Sequence, residues 1–482
     1  MSQPERLLIE NCRHIATMDD QERELRGQDI LIEGNRVAAI GPNLRAAMPE
    51  RIPADTPAID ASSHLVLPGF VNCHHHLWQV LTRVLPRVQN AELFEWLVEN
   101  YKVWENCDPD AIYTGALLSQ SELILTGCTT STDHHYLFPV AQPVELLDET
   151  FRAAADLGLR FYPTRGSMTL GVDDGGLPPM TLTEDPERVL ADYDRVVSKY
   201  HNPVDDAMTR VHLAPCAPFN AKEELFRETA RLATHYKVRI HTHLAETSDE
   251  DVYCLERFGC RPFEYVRRLG WDGGNVWFAH CVKLNSEEIR HFADAGIGVA
   301  HCPSANARLG SGVAPVPEML EAGVKVGLAV DGTSSNDSGS LLGEAAFALK
   351  VHRATWGVHS LQARDVLRML TRGGAAVLDN PSLGQIAEGC PADIVLFDLD
   401  QYGYAGGPST DPVAGLLMCG TNTHVDYSII NGKIVVERGK ICGQSEKTVV
   451  CRANVTTARL TAAARAKHGI DFTELVQWPK KG

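Results

Sequence analysis

Hydrophobic and polar positions alternate in short runs near both ends of the chain. In the first 65 residues, RLLIENC and DILIEGNRVAAIG are rich in aliphatic residues, and Gly34-Asn35 interrupts the second run. The pattern returns in ADIVLFDLD (392–400) and in DYSIINGKIVVERGK (426–440), around Asn431-Gly432. Short alternating runs joined by Gly/Asn pairs are typical of β-hairpins. The two ends predict strands, either as one small β domain built from both termini or as independent terminal hairpins.

The middle of the chain alternates short apolar runs with longer stretches of helical spacing. Helical spacing is clear in EELFRETARLATHY (223–236) and NSEEIRHFADAG (285–296). Eight short runs predict parallel strands, at residues 65–73, 127–135, 160–165, 210–217, 238–246, 276–281, 298–303 and 325–332. Eight β/α units favour a closed barrel over an open doubly wound sheet. No GxGxxG follows the first strand, which also disfavours a dinucleotide-binding fold.

The predicted fold class is therefore α/β, a (β/α)8 TIM barrel with a small β-sandwich domain built from both termini. The predicted boundaries are residues 1–67 plus 385–482 for the composite β-sandwich and residues 68–384 for the catalytic barrel.

Titratable side chains recur at the C-terminal ends of the predicted strands, where the active site of such a barrel forms. In chain order they are His74-His75-His76, His241, His243, His280, His301 and Asp331. A single buried histidine is usually a hydrogen-bonded core residue, but this many at one end of a barrel indicates a site. Side chains alternate along a strand, so His74 and His76 face one side and His75 faces the other.

Imidazole nitrogens and a carboxylate together form a ligand set for a borderline divalent cation. His74 and His76, with His243 and Asp331, would supply three nitrogens and one oxygen. This set suits zinc, with iron and manganese as alternatives. Glu246 follows three residues after His243. It is either a first-turn glutamate favoured by the helix dipole or a carboxylate that carries a proton between water and substrate.

Composition and charge limit the partners of the protein. The 482 residues are 44% hydrophobic and 22% charged, as in a globular protein, and the net charge of −17 argues against nucleic acid or anionic membrane. No apolar run approaches the roughly 18 to 20 residues of a membrane helix, and the charged N-terminus does not resemble a signal peptide. The 13 cysteines include no CxxC pair, which is typical of reduced thiols. We expect a cytoplasmic protein with a small-molecule substrate, and a homo-oligomer stays open as an alternative to a monomer.

The motifs PGFVNCHHH, HTHLAE, FAHC and VDG together resemble the amidohydrolase superfamily, in the branch that deaminates heterocycles with one metal ion. The metal ligands that this resemblance implies are His74, His76, His243 and Asp331. The catalytic residues that it implies are Glu246, His280 and Asp331, with Glu246 as the proton shuttle and His280 bonded to water or substrate. RVHLAPCAPFN offers no lysine at the end of the fourth strand, which favours one metal ion over two.

Within this branch the chain is most similar to 8-oxoguanine deaminases, through HHHLWQVLTRVLPRVQNAELFEWL, GCTTSTDHHYLFP, TRGSMTLGVDDGGLPP and YCLERFGCRPFEYV. The implied reaction is hydrolytic deamination of an oxopurine, 8-oxoguanine giving urate and ammonia. The alternatives are pterin or guanine deamination and hydrolysis of a hydroxytriazine that releases an alkylamine or chloride. A non-catalytic scaffold relative would have lost ligands that this chain retains. In HCPSAN, Ala305 replaces a serine that the family commonly carries.

Several residues near the strand ends are predicted substrate contacts. Gln79 offers a donor and an acceptor through one amide. Arg165 can present a planar fork to carbonyl oxygens, or it forms a surface salt bridge. Trp96 and Tyr136 are candidates for ring stacking or a pocket wall, with ordinary core packing as the alternative.

Three further residues lie close to the same region in the sequence. Asn306 and Arg308 are candidates for the mouth of the pocket. Glu105 falls near the position where nucleoside deaminases of this branch carry a glutamate for ribose hydroxyls. The residues around it do not otherwise match that group, so we expect Glu105 to be a solvated glutamate.

Overall fold

A computed structural model describes residues 5–407, 409–419 and 424–478. Its N-terminal part contains seven short strands. They are β1 (Arg6–Cys12), β2 (His14–Ala16), β3 (Glu24–Leu25), β4 (Gln28–Glu33), β5 (Arg36–Gly41), β6 (Ala58–Asp60) and β7 (His64–Pro68). Residues Gly34-Asn35 connect β4 to its antiparallel neighbour β5, as the alternating pattern predicts.

The middle of the chain forms a barrel of parallel strands. These are β8 (Phe70–Asn72), β9 (Cys128–Ser131), β10 (His134–His135), β11 (Arg160–Phe161), β12 (Thr164–Ser167), β13 (His212–Pro215), β14 (Ile240–Leu244), β15 (Val276–His280), β16 (Gly298–His301) and β17 (Lys325–Leu328). Strands β8, β9 and β11 pair with one another, and β10 leads through β12 and each later strand to β17. The predicted second and third strands are each split into two, the third around Pro163, which has no N–H to donate. The predicted TIM barrel is confirmed.

The barrel closes where the chain after β17 meets the chain after β8. The Val330 N–H donates to Asn72 Oδ1 at 3.0 Å, and the Asp331 N–H donates to the His74 carbonyl oxygen at 3.3 Å. This closure brings the residues after the first and last barrel strands to the same end of the barrel.

The C-terminal strands join the N-terminal ones in a shared sheet. They are β18 (Ile394–Asp398), β19 (Tyr427–Ile430), β20 (Lys433–Glu437) and β21 (Lys440–Ile441). One sheet has the order β5-β4-β1-β6, and the other has the order β21-β20-β19-β18-β7-β2-β3. Asn431 and Gly432, with φ of 51° and 77°, form the tight turn between β19 and β20. Because β7 pairs directly with β18, the composite β domain is confirmed over independent terminal hairpins.

The two sheets bury one apolar core between them. Leu7 and Ile30 contribute to it from the first sheet, and Val66, Ile394 and Ile429 contribute from the second. Each is at most 2% exposed, so apolar residues from both ends of the chain hold the sandwich together.

The helices surround the barrel, apart from the first one, which packs against β4 of the sandwich. They are α1 (Leu44–Ala47), α2 (Leu93–Trp104), α3 (Pro109–Leu125), α4 (Leu146–Leu157), α5 (Pro186–Tyr200), α6 (Glu223–Tyr236), α7 (Ser248–Phe258), α8 (Pro262–Arg268), α9 (Ser286–Ala295), α10 (Pro303–Arg308), α11 (Val316–Ala322), α12 (Leu341–Trp356), α13 (Ala363–Arg368), α14 (Gly374–Val377), α15 (Pro412–Cys419) and α16 (Glu446–His468). Helix α9 shows how the sequence sets the ends, because Asn285 and Glu288 form a capping box and Gly296 ends the helix in the left-handed region. None of the helices in the described ranges is long and apolar enough to cross a membrane.

The long helix α16 was not predicted, and it packs against the barrel. Arg459 pairs with Asp108 just before α3, and Thr457 donates to the Leu81 carbonyl oxygen at 3.0 Å. Part of the predicted sandwich range 385–482 therefore contacts the barrel; the domain boundaries otherwise stay a prediction.

Glu105, at the end of α2, is held by this C-terminal helix. Its carboxylate accepts hydrogen bonds from His468 and Thr181, both at 2.6 Å, and lies 2.9 Å from Lys467 Nζ. Burial works to raise the pKa of Glu105, but the bonds from Lys467, Thr181 and His468 lower it. The side chain is only 4% exposed, so the expectation of a solvated glutamate is wrong.

Candidate active site

Four side chains meet at the C-terminal end of the barrel. His74 and His76 follow β8, His243 lies in β14, and Asp331 follows β17. His74 Nε2 and His76 Nε2 each lie 3.3 Å from Asp331 Oδ1. His76 Nε2 lies 3.1 Å from His243 Nε2. The structure thus brings together all four residues that the sequence marks as metal ligands.

The atoms that converge here have the properties of metal donors. His74 Nε2 and Asp331 Oδ1 are buried and have no hydrogen-bond partner among the described residues. A buried polar atom without a partner is costly, so a convergent group of them is expected to bind something. Imidazole nitrogens with a carboxylate oxygen suit a borderline divalent cation, and the donors fit such an ion.

Backbone carbonyls fix the ring orientation of two of these histidines. The Nδ1 of His76 lies 2.9 Å from the His134 carbonyl oxygen, and the Nδ1 of His243 lies 2.6 Å from that of Cys216. A carbonyl oxygen can only accept, so each Nδ1 carries the proton and each Nε2 presents its lone pair to the centre. Burial lowers the pKa of His243 to about 4 and that of His76 well below its ordinary value, which keeps both rings neutral.

The backbone is strained where these side chains turn into the site. His280, the last residue of β15, has a φ of 70°, and Asp331 has a φ of 62°. Residues other than glycine rarely adopt this left-handed conformation, which costs on the order of 1 kcal/mol or more. Strain of this kind persists only where the surrounding structure enforces it, and here it accompanies two predicted catalytic residues.

Glu246 lies beside this cluster. One of its oxygens, Oε2, is 3.6 Å from His280 Nε2, and Oε1 has no hydrogen-bond partner in the described parts of the chain. Burial raises the pKa of Glu246 to about 7; His280 opposes this shift and Asp331 adds to it. A carboxyl group with a pKa near neutrality can both accept and donate a proton, which is what a proton shuttle requires.

A cavity of about 370 Å3 opens beside these groups. Gln79, Trp96 and Tyr136 line it, together with His76, His243, Glu246, His280 and Asp331. The sequence reasoning missed several other wall residues, which are Leu93, Leu97, Cys216, Ala217, Phe219, Asn220, Leu309 and Ser335. Residues 216–220 begin within the end of the fourth predicted strand, 210–217, and directly follow β13, so their place at a strand end was a signal that could have identified them.

Some polar atoms of the cavity wall have hydrogen-bond partners within the protein, and others have none among the described residues. Gln79 Nε2 donates to the Tyr136 hydroxyl at 3.3 Å, whereas Gln79 Oε1 has no partner among the described residues. The Trp96 indole N–H donates to the Ser334 carbonyl oxygen at 3.2 Å. The wall therefore offers a ligand an amide acceptor from Gln79 and an aromatic ring from Trp96.

Arg165 does not reach the cavity. Its guanidinium donates to Glu184 at 2.9 and 2.8 Å and to Asp192 at 2.6 Å, and it lies over the Phe138 ring. The side chain is fully buried, so it is also no surface salt bridge. With its donors paired to two carboxylates, Arg165 is a structural ion-pair residue, which corrects the predicted contact with substrate.

Asn306 and Arg308 also lie outside the wall. Asn306 Oδ1 lies 2.9 Å from His280 Nδ1, so it holds the His280 ring and does not line the cavity. Arg308 donates to Asp337 and to the Val88 carbonyl oxygen. Ala305 is fully buried in a separate apolar cluster, so the departure from the family serine lies behind the wall.

Two further histidines of the strand-end pattern, His75 and His301, do not join the donor cluster. The Nδ1 of His75 accepts from the His76 N–H at 2.7 Å, and His75 is in none of the groups of described residues that could hold an ion. The His301 ring packs against His352 with centroids 4.9 Å apart. The placement of His75 agrees with strand parity.

The barrel and its cluster of imidazole and carboxylate donors define a metal-dependent TIM-barrel hydrolase. Residues 65–435 match the amidohydrolase family, and the chain belongs to that family. It is 41% identical over 403 residues to the 8-oxoguanine deaminase of Pseudomonas aeruginosa, covering 84% of this chain and 89% of that enzyme. It is 36% identical over 477 residues to the hydroxydechloroatrazine ethylaminohydrolase of Pseudomonas sp. strain ADP, covering 96% and 98%.

A solved structure shows the same architecture. Atrazine chlorohydrolase from Arthrobacter aurescens TC1, complexed with zinc, superposes with a TM-score of 0.88 at 35% identity, covering 94% of this chain and 100% of that chain. The predicted superfamily is therefore confirmed, as is the predicted enzyme class.

Proposed function

We propose that the protein is a zinc-dependent deaminase of oxopurines that converts 8-oxoguanine to urate and ammonia. The observation that carries the proposal is the placement of Glu246. Its carboxyl group is buried, has an oxygen without a partner, and lies in a small cavity beside His280 and the four donor residues. The similarity to 8-oxoguanine deaminase over most of both chains supports the choice of substrate.

The metal ion would be held by His74, His76, His243 and Asp331. A zinc ion at such a site lowers the pKa of water from about 15.7 towards 7, so that a hydroxide nucleophile exists at neutral pH. The zinc-bound neighbour at 35% identity supports zinc over iron or manganese.

The protein's own groups would move the protons of the reaction. Asp331 and His280 accept or orient the proton that the attacking water loses. Glu246 delivers a proton to the ring nitrogen next to the carbon that bears the amine, which makes that carbon electrophilic. A C–O bond then forms, the C–N bond breaks, and the amine leaves as ammonia after it gains a proton. One water is consumed, and one ammonia is released.

The cavity suits a neutral, flat ligand. No lysine or arginine is among the described residues that line it. The unpartnered Gln79 Oε1 can accept a hydrogen bond from a ring N–H, as an oxopurine offers.

A second candidate is hydrolysis of a hydroxytriazine with release of an alkylamine. It is favoured by the 36% identity to hydroxydechloroatrazine ethylaminohydrolase, in an alignment that covers 96% of this chain and 98% of that enzyme. The same proton-transfer residues would serve it, because both reactions replace an amine on an electron-poor aromatic carbon by oxygen.

The test is a substrate panel with the zinc-loaded enzyme. The panel contains 8-oxoguanine, guanine, a pterin, an alkylamino-hydroxytriazine and guanosine. We expect 8-oxoguanine to give the highest kcat/KM, with ammonia and urate formed in equal amounts. Faster release of alkylamine from the triazine would contradict the oxopurine assignment, and turnover of guanosine but of none of the free bases would contradict the free-base assignment.

We also propose a cytoplasmic location, in keeping with the cysteines and a soluble small-molecule substrate. Cell fractionation with antibody detection tests it. Light scattering on the purified enzyme would show whether it is a monomer or a homo-oligomer.

A further inference from the structure

His241 lies two residues before His243 on β14 and is fully buried beneath the donor cluster. Its ring stacks on Trp277 with centroids 4.4 Å apart. His241 Nδ1 lies 2.9 Å from the Trp277 carbonyl oxygen, and His241 Nε2 lies 2.8 Å from His74 Nδ1. The ring therefore bridges a main-chain carbonyl of the neighbouring strand and one of the metal-ligand histidines.

The positions of the protons in this row of hydrogen bonds follow from the Trp277 carbonyl oxygen at its end. The Trp277 oxygen can only accept, so His241 Nδ1 carries the proton. A neutral imidazole has one N–H, so His241 Nε2 is an acceptor and His74 Nδ1 must donate to it. His74 Nε2 is then left with a lone pair, and this is the atom that lies 3.3 Å from Asp331 Oδ1.

We infer that His241 is a positioning residue that holds His74 in the tautomer and orientation needed to bind the metal ion. This inference rests on the metal site of the proposed function. His76 and His243 obtain the same support from backbone carbonyls, whereas His74 depends on a side chain. Among the three histidine ligands, His74 is therefore the one whose support can be removed by one substitution.

The same atoms allow a competing arrangement. His74, His134 and His241 form a second group of buried nitrogens close enough to share an ion. In that case His74 Nδ1 would bind a cation and could not donate to His241. The two arrangements predict different zinc stoichiometries, one ion for the positioning role and two for a second metal site.

The test measures zinc affinity by competition with a chromogenic chelator, together with zinc stoichiometry and the melting temperature of the metal-free protein. His241→Phe keeps a ring but removes the acceptor, and His241→Gln can place its amide oxygen where Nε2 lies. His212→Phe is the matched control, because His212 is also buried and packs against Trp277, at 5.4 Å, but bonds to the Arg239 N–H.

We expect His241→Phe to weaken zinc binding about 10- to 100-fold, the usual effect of losing such a support, and His241→Gln to restore most of the affinity. His212→Phe should bind zinc like the wild type. An unchanged Kd in His241→Phe, an equal loss in His212→Phe, or two zinc ions per wild-type chain would each overturn the inference. Wild-type protein that bound one zinc ion but turned over no heterocycle would contradict the proposed function alone.

A measurement on the unaltered protein keeps the inference testable if His241→Phe does not fold. A neutron structure of the zinc-loaded wild type should show deuterium on Nδ1 of both His241 and His74. A lone pair on His74 Nδ1 would overturn the assignment.

Discussion

The β-sandwich and the mouth of the barrel both contain buried polar side chains. They differ in how many of these polar atoms lack a hydrogen-bond partner among the described residues. Among the described residues, the sandwich buries two side-chain polar atoms without a partner, His14 Nδ1 and Ser428 Oγ. The wall of the barrel cavity and its donor cluster contain more of them, including His74 Nε2, Gln79 Oε1, Asn220 Oδ1, Glu246 Oε1 and Asp331 Oδ1. Unpaired buried polar atoms lower stability, so those gathered around the donor cluster indicate a place that is built to bind a ligand.

Carboxyl groups show the same contrast. In the sandwich, hydrogen bonds from Arg51 and Arg6 lower the pKa of Glu33 to about 2, because the bonds outweigh the slight burial. At the barrel mouth, burial raises the pKa of Glu246 to about 7 and that of Glu344 to about 8. Glu33 is thus a charged carboxylate paired with arginines, whereas Glu246 and Glu344 can exchange a proton near neutral pH.

The largest expected effect is on the catalytic rate, through Glu246 at the mouth of the barrel. Glu246→Gln removes the proton that the mechanism needs and should lower kcat about 10²- to 10⁴-fold while leaving one zinc ion bound. Steady-state ammonia release and metal analysis measure the two quantities. Glu250→Gln is the matched control, since Glu250 is also buried and accepts from the Glu246 N–H at 2.9 Å, but does not line the cavity. It should lose much less activity, and full activity in Glu246→Gln would refute the shuttle.

A core substitution in the sandwich should lower stability and leave the activity of the folded enzyme unchanged. Ile394→Ala leaves a cavity between the two sheets and should lower the free energy of unfolding by about 2 to 5 kcal/mol. Because Ile394 lies outside the cavity wall, kcat/KM of the folded enzyme should not change. Urea unfolding and kinetics well below the transition check this. A large fall in kcat/KM would show that the sandwich acts on the site.

A substitution in the cavity wall should cost affinity more than stability. Gln79→Leu removes the free amide acceptor and should lower kcat/KM about 5- to 150-fold, as expected for about 1 to 3 kcal/mol. A Cβ added at Gly332 would collide with the Gln79 side chain, so Gly332→Ala should shift kcat/KM in the same direction. Substrate kinetics on both variants test this, and an unchanged KM and kcat in Gln79→Leu would exclude the contact.

The smallest expected effect, counted per unit of pH, is on the pH dependence of stability. Burial raises the pKa of Glu344 from 4.5 to about 8, so folding keeps this carboxyl protonated. The stability that this contributes is fully present below pH 4.5 and is lost as the pH rises through about 8, by at most about 1.4 kcal/mol per pH unit between them. Glu344→Gln should flatten the unfolding free energy of the metal-free protein over that window. Equal slopes in the variant and the wild type would contradict the assignment.

The donor residues could be predicted from the sequence because two strong regularities meet there. The two-residue period of a strand pairs His74 with His76, and the barrel places the ends of β14 and β17 at the same rim as theirs. Gln79 comes soon after β8, Trp96 lies in α2 between β8 and β9, and Tyr136 directly follows β10. The structure places all three in the cavity wall.

Contacts set by helices could not be predicted. Arg165 forms ion pairs with Glu184 and Asp192 outside the cavity. Glu184 lies just before α5, and Asp192 lies in α5. Glu105 is buried by residues of α16, more than 360 positions later in the chain. Periodicity indicates which face of an element is apolar, but it does not say which distant carboxylate or cation that element meets.

The pairing of β7 with β18 makes the barrel an insertion between two halves of one sheet. Cutting the chain once near residue 385 would therefore not release the C-terminal part, because hydrogen bonds from β18 to β7 and the shared apolar core would still hold it. Separating the two pieces would expose the unpaired edges of β7 and β18, which favours aggregation. The enzyme is thus a natural candidate for fragment complementation, in which residues 1–385 and 386–482 expressed as separate chains reassemble one working barrel.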